Sequence, residues 1–458
     1  MAGIGFQLRK IIGSGGLGSV VGALVSGVFI VAGPWLISVL SMAILQVFFV
    51  RFSMQRIDAF QAGVVYSYAF SLGLFSGVHH HFTRITSDLV WDDRQGEASS
   101  WMLRFAALVL IASAAVSIPV VVLIPVDIGP HGWLYRVSLA LLFCTINVMW
   151  ILMLFVSLLK DYRIILGVFT LGMTCSIVGA VLLGRSFGPG GSLAGYTLGI
   201  VAITLLLLAF SLRRYSPVHP RDGWALLFST AKKYWALILS GFCFYSGQWL
   251  DKWYFWAVRG ETVPGLPFRL FGIYDYSVYI AGLSVIPGLV YFIIIAETQL
   301  YTDLRHFLFT LNHSTWTKIQ DAKQRIIQNV SIELRDQSLL QGACSLALLF
   351  ILLLARPEGL SGPILYCALG AAFFQFTLLT LIVLLYYMEL YGQALASTSL
   401  YALINGAVGS VAYSLLPWLP PGAGNLTAGM IASAIALVLV RRSVYRLDRI
   451  IFLRSLGV

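Results

Sequence analysis

The stretch "VVGALVSGVFIVAGPWLISVLSMAILQVFFV", Val20 to Val50, decides the fold class, because it contains no charged side chain. About 20 apolar residues suffice to cross a bilayer as a helix, and the h-region of a cleaved signal is shorter than this stretch. Similar runs recur along all 458 residues, of which 59% are hydrophobic and 11% charged. The sequence therefore predicts an all-α polytopic membrane protein without room for a soluble catalytic domain.

The apolar runs predict twelve transmembrane helices. Proline, glycine and charged residues separate them, as in "GRSFGPGG" and "PWLPPGAGN". The predicted helices are 20–48, 58–82, 102–125, 133–159, 163–184, 192–212, 234–257, 270–296, 338–355, 362–387, 390–416 and 425–440.

The basic residues predict the orientation of these helices. With a cytoplasmic N-terminus, the inner segments hold 22 of the 30 Lys and Arg residues and the outer loops hold seven, while Lys252 lies within a helix. The positive-inside rule then favours two cytoplasmic termini and an even number of crossings. The net charge of +11 is explained by this distribution, and no nucleic-acid-binding module is visible.

The basic, proline-marked segment 213–233 divides the chain into two halves of equal orientation, although no repeat is visible at the residue level. We expect 213–233 to be a cytoplasmic linker between two six-helix bundles. The predicted parts are an amphipathic cytoplasmic N-terminal segment (1–19), an N-terminal bundle (20–212), a C-terminal bundle (234–440) with a cytoplasmic insertion (297–337), and a basic cytoplasmic tail (441–458).

The insertion contains "TKIQDAKQRIIQNVSIELRD", in which Ile319, Ile326, Ile327 and Val330 are spaced for one helical face. This pattern predicts an amphipathic helix on the inner membrane surface or a docking site for a cytoplasmic partner. The candidate partner contacts are Glu297, Arg305, Lys318, Lys323 and Arg325.

Polar residues within the spans are the candidates for a substrate pathway, because an unsatisfied polar group facing lipid costs several kcal/mol. The pathway candidates are Gln248, Asp251, Lys252, Asn147, Gln375 and Asn405. For the last three, a hydrogen-bonded link between helices is the alternative.

Two charges lie within "QWLDKWYFW", Gln248 to Trp256. Lys252 is long enough to reach the membrane surface from there, whereas Asp251 is too short and needs a partner or a wet cavity. Adjacent helical residues diverge by about 100°, so the two do not form a natural ion pair with each other. We expect Gln248 and Asp251 to line a cavity, with the tryptophans at the membrane surface; a structural link to another helix is the alternative.

The sequence predicts no enzyme, cofactor or metal site. No Walker A, nucleophile-elbow or zinc-protease motif occurs in a fitting context. The five cysteines form no C-x-x-C pair and indicate small buried side chains. His79, His80 and His81 are consecutive, so on a helix they point in three directions, which favours an interfacial cluster over a metal site.

Four motifs carry a resemblance to a known family: "MAGIGFQLRKII" (1–12), "GPW" (33–35), "DKWYFW" (251–256) and "ETQLYTDLRHF" (297–307). They resemble the PelG family, the inner-membrane proteins of Pel exopolysaccharide systems, which is grouped with the multidrug/oligosaccharidyl-lipid/polysaccharide transporter superfamily. The resemblance extends over essentially the whole chain.

This resemblance implies two six-helix bundles around a central cleft in a bacterial inner membrane. It also implies export of a nascent polymer rich in N-acetylgalactosamine and galactosamine to the periplasm, for a biofilm matrix. The implied partners are PelF, a cytosolic UDP-sugar-dependent glycosyltransferase, and the membrane proteins PelD and PelE, of which PelD is the cyclic-di-GMP receptor.

The sequence leaves three alternative functions. A flippase for lipid-linked oligosaccharide often has a cationic patch for the pyrophosphate. Lys252 is the only clear intramembrane cation in the sequence, which counts modestly against a flippase. A cation-coupled small-molecule antiporter would use Asp251 as its ion site. A membrane-embedded acyltransferase is disfavoured, because the histidines lie in loops or at helix ends.

Overall fold

The computed structural model describes residues 17–52, 56–220, 223–355 and 359–450, and the side chains of 17–26, 29–31, 297 and 312 lie outside that description. Within these ranges the regular structure is helical, apart from a hairpin of two two-residue strands, β1 (Glu261–Thr262) and β2 (Arg269–Leu270). The helices are α1 (Leu17–Arg51), α2 (Ile57–Trp91), α3 (Gln95–Leu123), α4 (Gly132–Leu158), α5 (Tyr162–Arg214), α6 (Ala225–Lys233), α7 (Trp235–Arg259), α8 (Gly272–Leu283), α9 (Ile286–Tyr291), α10 (Glu297–His313), α11 (Trp316–Ala355), α12 (Gly362–Tyr387), α13 (Tyr391–Leu403), α14 (Gly409–Leu415) and α15 (Ala423–Tyr445).

The described part of the chain contains nine helical stretches that are long and apolar enough to cross a membrane. Helices α2 and α7 are not among them. The chain is therefore a multi-pass membrane protein. The count of twelve crossings, the two-bundle layout around a cleft and the cytoplasmic termini stay predictions.

Helix α5 is a hairpin that turns at Gly188 and contains two of the predicted helices. Gly188 has φ 64° and ψ −150°, a conformation that is essentially restricted to glycine, and Pro189 follows it. Beyond the turn the two halves pack closely, because Gly179 and Gly195 bring their backbones into contact. Ser176 Oγ also donates to the carbonyl of Tyr196 at 3.0 Å. The break lies where "GRSFGPGG" predicted it.

Contacts group the described residues into two compact units. One unit runs from Gly33 to Gly272, and the other takes in Ile273 onwards together with the residues up to Ala32. Helix α7, predicted to open the C-terminal bundle, packs on α2 within the first unit. The predicted bundle boundaries are not tested further and stay predictions.

The C-terminal unit contains residues 297–337, the predicted cytoplasmic insertion. Helix α9 passes into α10 through a π-helical segment, Phe292–Ala296. Helix α11 has 40 residues and joins the predicted amphipathic helix to the predicted span 338–355 without a break. Ile319 and Ile326 are buried, as the amphipathic pattern predicts.

The two ends of the chain are only partly described. Residues 1–16 lie outside the described part, and so does the expectation of an amphipathic N-terminal segment that rests on them. At the other end α15 continues to Tyr445, and residues 451–458 of the predicted tail also lie outside.

Candidate functional site

Helices α2 and α7 approach each other closely because small residues line their contact. Gly73 of α2 lies beneath the ring of Trp253, and a β-carbon at that position would come 2.6 Å from the ring. Ser246 Oγ of α7 donates to the carbonyl of Gly73 at 2.6 Å. One turn along α2, a β-carbon on Gly77 would lie 2.9 Å from the carbonyl of Ile238. This contact fixes which side of α7 faces α2.

The aromatic side chains of α7 stack on α2. The Trp253 and Phe70 rings lie 4.9 Å apart and nearly parallel, and the Trp256 and Tyr66 rings lie 4.7 Å apart. Tyr66 also anchors the hairpin after α7, since its hydroxyl donates to the carbonyl of Arg269 at 2.9 Å and accepts that residue's N–H. Trp256 is only 2% exposed, so it is enclosed by the protein, while its expected position at the membrane surface stays a prediction. The ring of Trp253 fills the space above Gly73.

Asp251 and Lys252 diverge, as the helical geometry predicts. Asp251 is 4% exposed, and its Oδ1 accepts the backbone N–H of Lys252 at 2.9 Å. The Lys252 side chain is half-buried, and its Nζ lies 4.0 Å from the centre of the Trp249 ring. Gln248, one turn before Asp251 on the same face, is also half-buried. The aspartate is thus enclosed by protein, and the lysine is held by a cation–π contact.

Both helices are enclosed along most of their length. No residue of α7 between Cys243 and Trp256 is exposed, and Leu74 is the one exposed residue of α2 between Ile57 and Ser87. A helix that does not face lipid tolerates polar residues at membrane depth. This enclosure is consistent with the polar and charged side chains that both helices carry.

The three consecutive histidines point to three different neighbours. The ring of His79 lies 6.4 Å from Trp150 of α4, and that of His80 lies 6.3 Å from Tyr245 of α7. His81 Nε2 lies 2.9 Å from Thr230 Oγ1 of α6. Among the described residues no group of three His, Cys, Asp or Glu side chains is placed to hold a metal ion.

Asn147 has the contacts of a structural link. It is fully buried, its Oδ1 accepts from Ser71 Oγ at 2.8 Å, and its Nδ2 donates to the carbonyl of Phe143 at 2.8 Å. Both ends of the amide are therefore satisfied between α2 and α4. For this residue the structure favours the interhelical alternative over the pathway.

In the C-terminal unit Gln375 joins a polar triad. Its Nε2 donates at 2.7 Å to both Tyr401 Oη and Asn425 Oδ1, and the tyrosine hydroxyl donates to the same asparagine oxygen at 2.9 Å. The triad connects α12, α13 and α15. Asn405, 1% exposed, lies in a second π-helical segment, Ile404–Val408, directly after α13.

The family is decided by a family model described as "PelG: Putative exopolysaccharide Exporter (EPS-E)", which matches residues 1–452. The chain belongs to the PelG family. The PelG family is one of exopolysaccharide exporters, and membrane transport of exopolysaccharide is thus the function that the family supports. A comparison with curated proteins gives no match.

Solved transporters share the fold of this PelG-family chain. A structure titled "Crystal structure of MATE in the straight conformation" has a TM-score of 0.59 at 11% identity and covers 92% of this chain and 96% of its own. A structure titled as a MOP superfamily transporter from Pyrococcus furiosus with reversed polarity of its binding pocket has a TM-score of 0.56 at 12% identity, with the same coverage. Such likeness shows the fold alone, a fold of membrane transporters.

The candidate cytoplasmic contacts of the PelG-family chain differ in availability. Arg305 and Lys318 are exposed. Lys323 Nζ pairs with Asp448 Oδ1 at 2.9 Å, and Arg325 Nε lies 3.6 Å from Asp303 Oδ1. The side chain of Glu297 lies outside the described part of the structure. Among the described side chains of this set, Arg305 and Lys318 therefore lie on the surface of α10 and α11 outside these ion pairs.

Several polar residues were missed from the sequence. Asn425 stands at the first residue of a predicted span, where an asparagine is ordinary for a helix end. Gln337 and Gln341 flank the predicted start of the span 338–355, yet both are buried. The signal that could have found them is a spacing of four residues along α11, Asn329, Glu333, Gln337, Gln341 and Ser345, which puts five polar side chains along one side of a helix.

Proposed function

We propose that this chain carries a nascent Pel-like polysaccharide, rich in N-acetylgalactosamine and galactosamine, from the cytoplasm to the periplasm across a bacterial inner membrane. The support is the match to an exopolysaccharide exporter family over nearly the whole chain, together with a transporter fold. The exported polymer would serve a biofilm matrix.

The observation that carries the proposal is the placement of Gln248, Asp251 and Lys252 on a helix shielded from lipid. A buried carboxylate at membrane depth marks a substrate or ion path more often than a passive contact. A polymer that slides needs contacts that are weak and numerous, since tight binding stalls it. Half-buried amide, ammonium and aromatic groups along one helix provide contacts of that kind.

Buried ring nitrogens on α2, α4 and α7 support a ligand rich in hydroxyl groups. Trp253 Nε1, Trp150 Nε1 and His79 Nε2 are buried and have no hydrogen-bond partner within the described residues. An unsatisfied buried nitrogen calls for an explanation, and a sugar hydroxyl or a water would supply the missing partner. Gln375 and Asn405, in the other unit, are proposed as further contacts of the same pathway.

The proposed partners act on the cytoplasmic side. A cytosolic UDP-sugar-dependent glycosyltransferase like PelF would make the polymer, and its dock would include the exposed Arg305 and Lys318. Membrane partners like PelD and PelE would bring cyclic-di-GMP control through the PelD-like subunit. The exposed positive charges of α10 and α11 would steer an acidic partner surface.

The burial of Asp251 also favours one alternative, a cation-coupled antiporter with this carboxylate as its ion site. Transport of small cationic dyes into vesicles would reveal that activity. A flippase for lipid-linked oligosaccharide would leave a lipid-linked intermediate that accumulates when the chain is deleted. Neither outcome is expected from a conduit for a growing polymer.

Substitution of the two charges tests the proposal in cells. Asp251→Asn and Lys252→Met keep the side-chain volume and remove one charge each, so we expect both to abolish polymer secretion while the protein still accumulates in the membrane. Glu261→Gln is the matched control, because Glu261 is exposed in β1 just beyond α7. Normal secretion by both charge variants would refute the assignment of this pathway.

A further inference from the structure

The C-terminal unit contains a polar cavity apart from the candidate pathway. Its volume is about 20 Å³, room for about one water-sized ligand, and it is bounded by the π-helical segment Phe292–Ala296, α10, α11 and α12. Its polar lining includes Asp303, Asn329, Glu333, Gln337 and Thr380.

The first carboxylate of the cavity is neutralised by its neighbours. Asp303 is buried, and its Oδ2 accepts a hydrogen bond of 2.6 Å from Asn329 Nδ2. Gln299 Nε2 donates to it at 3.2 Å, and Arg325 Nε lies 3.6 Å from Oδ1. The charge of Asp303 is thus balanced by one arginine.

The second carboxylate has no matching cation within the cavity lining. Glu333 Oε2 accepts from the hydroxyl of Tyr291 at 2.7 Å, which is a neutral donor. Arg335, two residues on, lies 2.8 Å from Asp336 and forms its ion pair there. With Asp303 and Arg325 in balance, Glu333 gives the described lining of the cavity one net negative charge.

Next to Glu333 the side chain of Gln337 offers a neutral oxygen. Gln337 is 3% exposed, and its Nε2 donates to Thr380 Oγ1 at 2.6 Å. Thr380 in turn donates to the carbonyl of Phe376 at 3.1 Å, so it can only accept from Gln337, which fixes the amide orientation. Gln337 Oε1 is left buried without a hydrogen-bond partner. A buried acceptor of this kind costs about 1–3 kcal/mol unless a ligand or water satisfies it.

The backbone beside the cavity departs from the α-helix. Phe292 and Ala296, the first and last residues of the π-helical segment, both line the cavity. Single π turns occur frequently at functional sites, because the bonding shift from i+4 to i+5 disturbs the regular pairing of the carbonyls. In transporters, backbone carbonyls at interruptions of a helix can serve as oxygen ligands for monovalent cations.

We propose that this cavity binds one monovalent metal cation, sodium or potassium, through the carboxylate of Glu333 and the carbonyl oxygen of Gln337. The single net negative charge matches a monovalent ion, whereas calcium takes six to eight oxygens with several carboxylates. The lining offers oxygen and amide groups but neither thiolate nor imidazole, which disfavours zinc or copper. The site does not depend on the identity of the exported substrate.

Thermal unfolding of the purified full chain in detergent tests the site. Choline chloride is replaced stepwise by NaCl or KCl at constant ionic strength. Because a ligand that binds only the folded state stabilises it by mass action, we expect the midpoint temperature to rise and then saturate with at least one of the two ions. Glu333→Gln and Gln337→Leu should raise the half-saturating ion concentration by about tenfold or more. Loss of a residue that only hydrogen-bonds to a metal ligand already weakens metal affinity by about that factor.

Gln341→Leu is the matched control. Gln341 lies one turn further along α11, is 1% exposed and also has a carbonyl oxygen without a hydrogen-bond partner, but it does not line the cavity. Its variant should keep the wild-type ion dependence. A wild-type chain that responds to neither ion beyond choline would overturn the proposal, and so would wild-type ion dependence in both cavity variants. Polymer secretion is a separate readout, so failure here leaves the export function standing.

Discussion

At the scale of single residues, Trp253 and Gly73 show how glycine admits an aromatic ring between two membrane helices. The ring stacks on Phe70 and occupies the place that a side chain at position 73 would need. Without a hydrophobic force between helices in lipid, close packing at small residues is a main source of association. The fit of α7 on α2 therefore depends on the absence of a single methyl group.

Gly73→Ala should destabilise the protein. The added β-carbon would lie 2.6 Å from the Trp253 ring, and overpacking of this size costs typically about 1–3 kcal/mol. We expect a lower midpoint of thermal unfolding in detergent for this variant. Gly167→Ala is the matched control, because Gly167 is helical and exposed and a β-carbon there would meet nothing within 4 Å. Equal midpoints for the two variants would show that the ring yields without cost.

The residues of "QWLDKWYFW" show which side-chain positions could be predicted from the sequence and which could not. Helical periodicity alone separated Asp251 from Lys252, and the structure confirms the divergence. The tryptophans were placed at the membrane surface by a general preference of tryptophan for interfaces. Their stacking on Phe70 and Tyr66 was not predicted, because these residues lie more than 180 positions away in a helix whose partner no local pattern reveals.

At the scale of elements, each of the twelve predicted helices corresponds to a helical segment, because long apolar runs and their proline and glycine boundaries are strong signals. The π-helical segments 292–296 and 404–408 were not predicted, since a π turn depends on packing rather than on composition. The union of the amphipathic helix with the span 338–355 was also missed. The charged residues before Ser338 suggested that the helix ends there, but no residue between Trp316 and Ala355 disrupts a helix.

An ion pair connects the amphipathic part of α11 to the end of the chain, and it predicts a pH dependence. Burial raises the pKa of Asp448, but the hydrogen bond and charge of Lys323 outweigh it and hold that pKa below its usual range. A lowered folded-state pKa gives stability that is present above the unfolded value, about 3.9, and is lost as the pH falls through the folded value. The contact should therefore be intact at neutral pH and open in acid.

Hydrogen exchange of the backbone around residues 446–450, corrected for its intrinsic pH dependence, measures this opening. We expect constant protection from about pH 7 to about pH 5 and a loss below about pH 4. Asp448→Asn should reduce protection at neutral pH and remove the acid transition, and Lys323→Met should do the same. Lys318→Met, at an exposed position on the same helix, should behave as the wild type. An acid transition that persists in Asp448→Asn would assign it to another group.

At the scale of the whole molecule, composition alone was enough to predict a multi-pass helical membrane protein, since 59% of the residues are hydrophobic. The family was reached from short motifs and is confirmed over residues 1–452. The polar network of Gln375, Tyr401 and Asn425 was beyond sequence reasoning, because it joins three helices whose pairing only the fold defines. The candidate pathway is thus better founded on α7, where several features converge, than on isolated amides elsewhere.

The central claim, that this chain moves a growing polysaccharide across a membrane, is tested most directly in reconstituted vesicles. Vesicles with and without the chain receive a PelF-like glycosyltransferase and a radiolabelled UDP-sugar on the outside, and lumenal polymer is measured after glycosidase removes what remains outside. We predict protected polymer only in vesicles that contain the chain with its cytoplasmic face outward, and none with Asp251→Asn. Equal amounts of protected polymer with and without the chain would contradict the account.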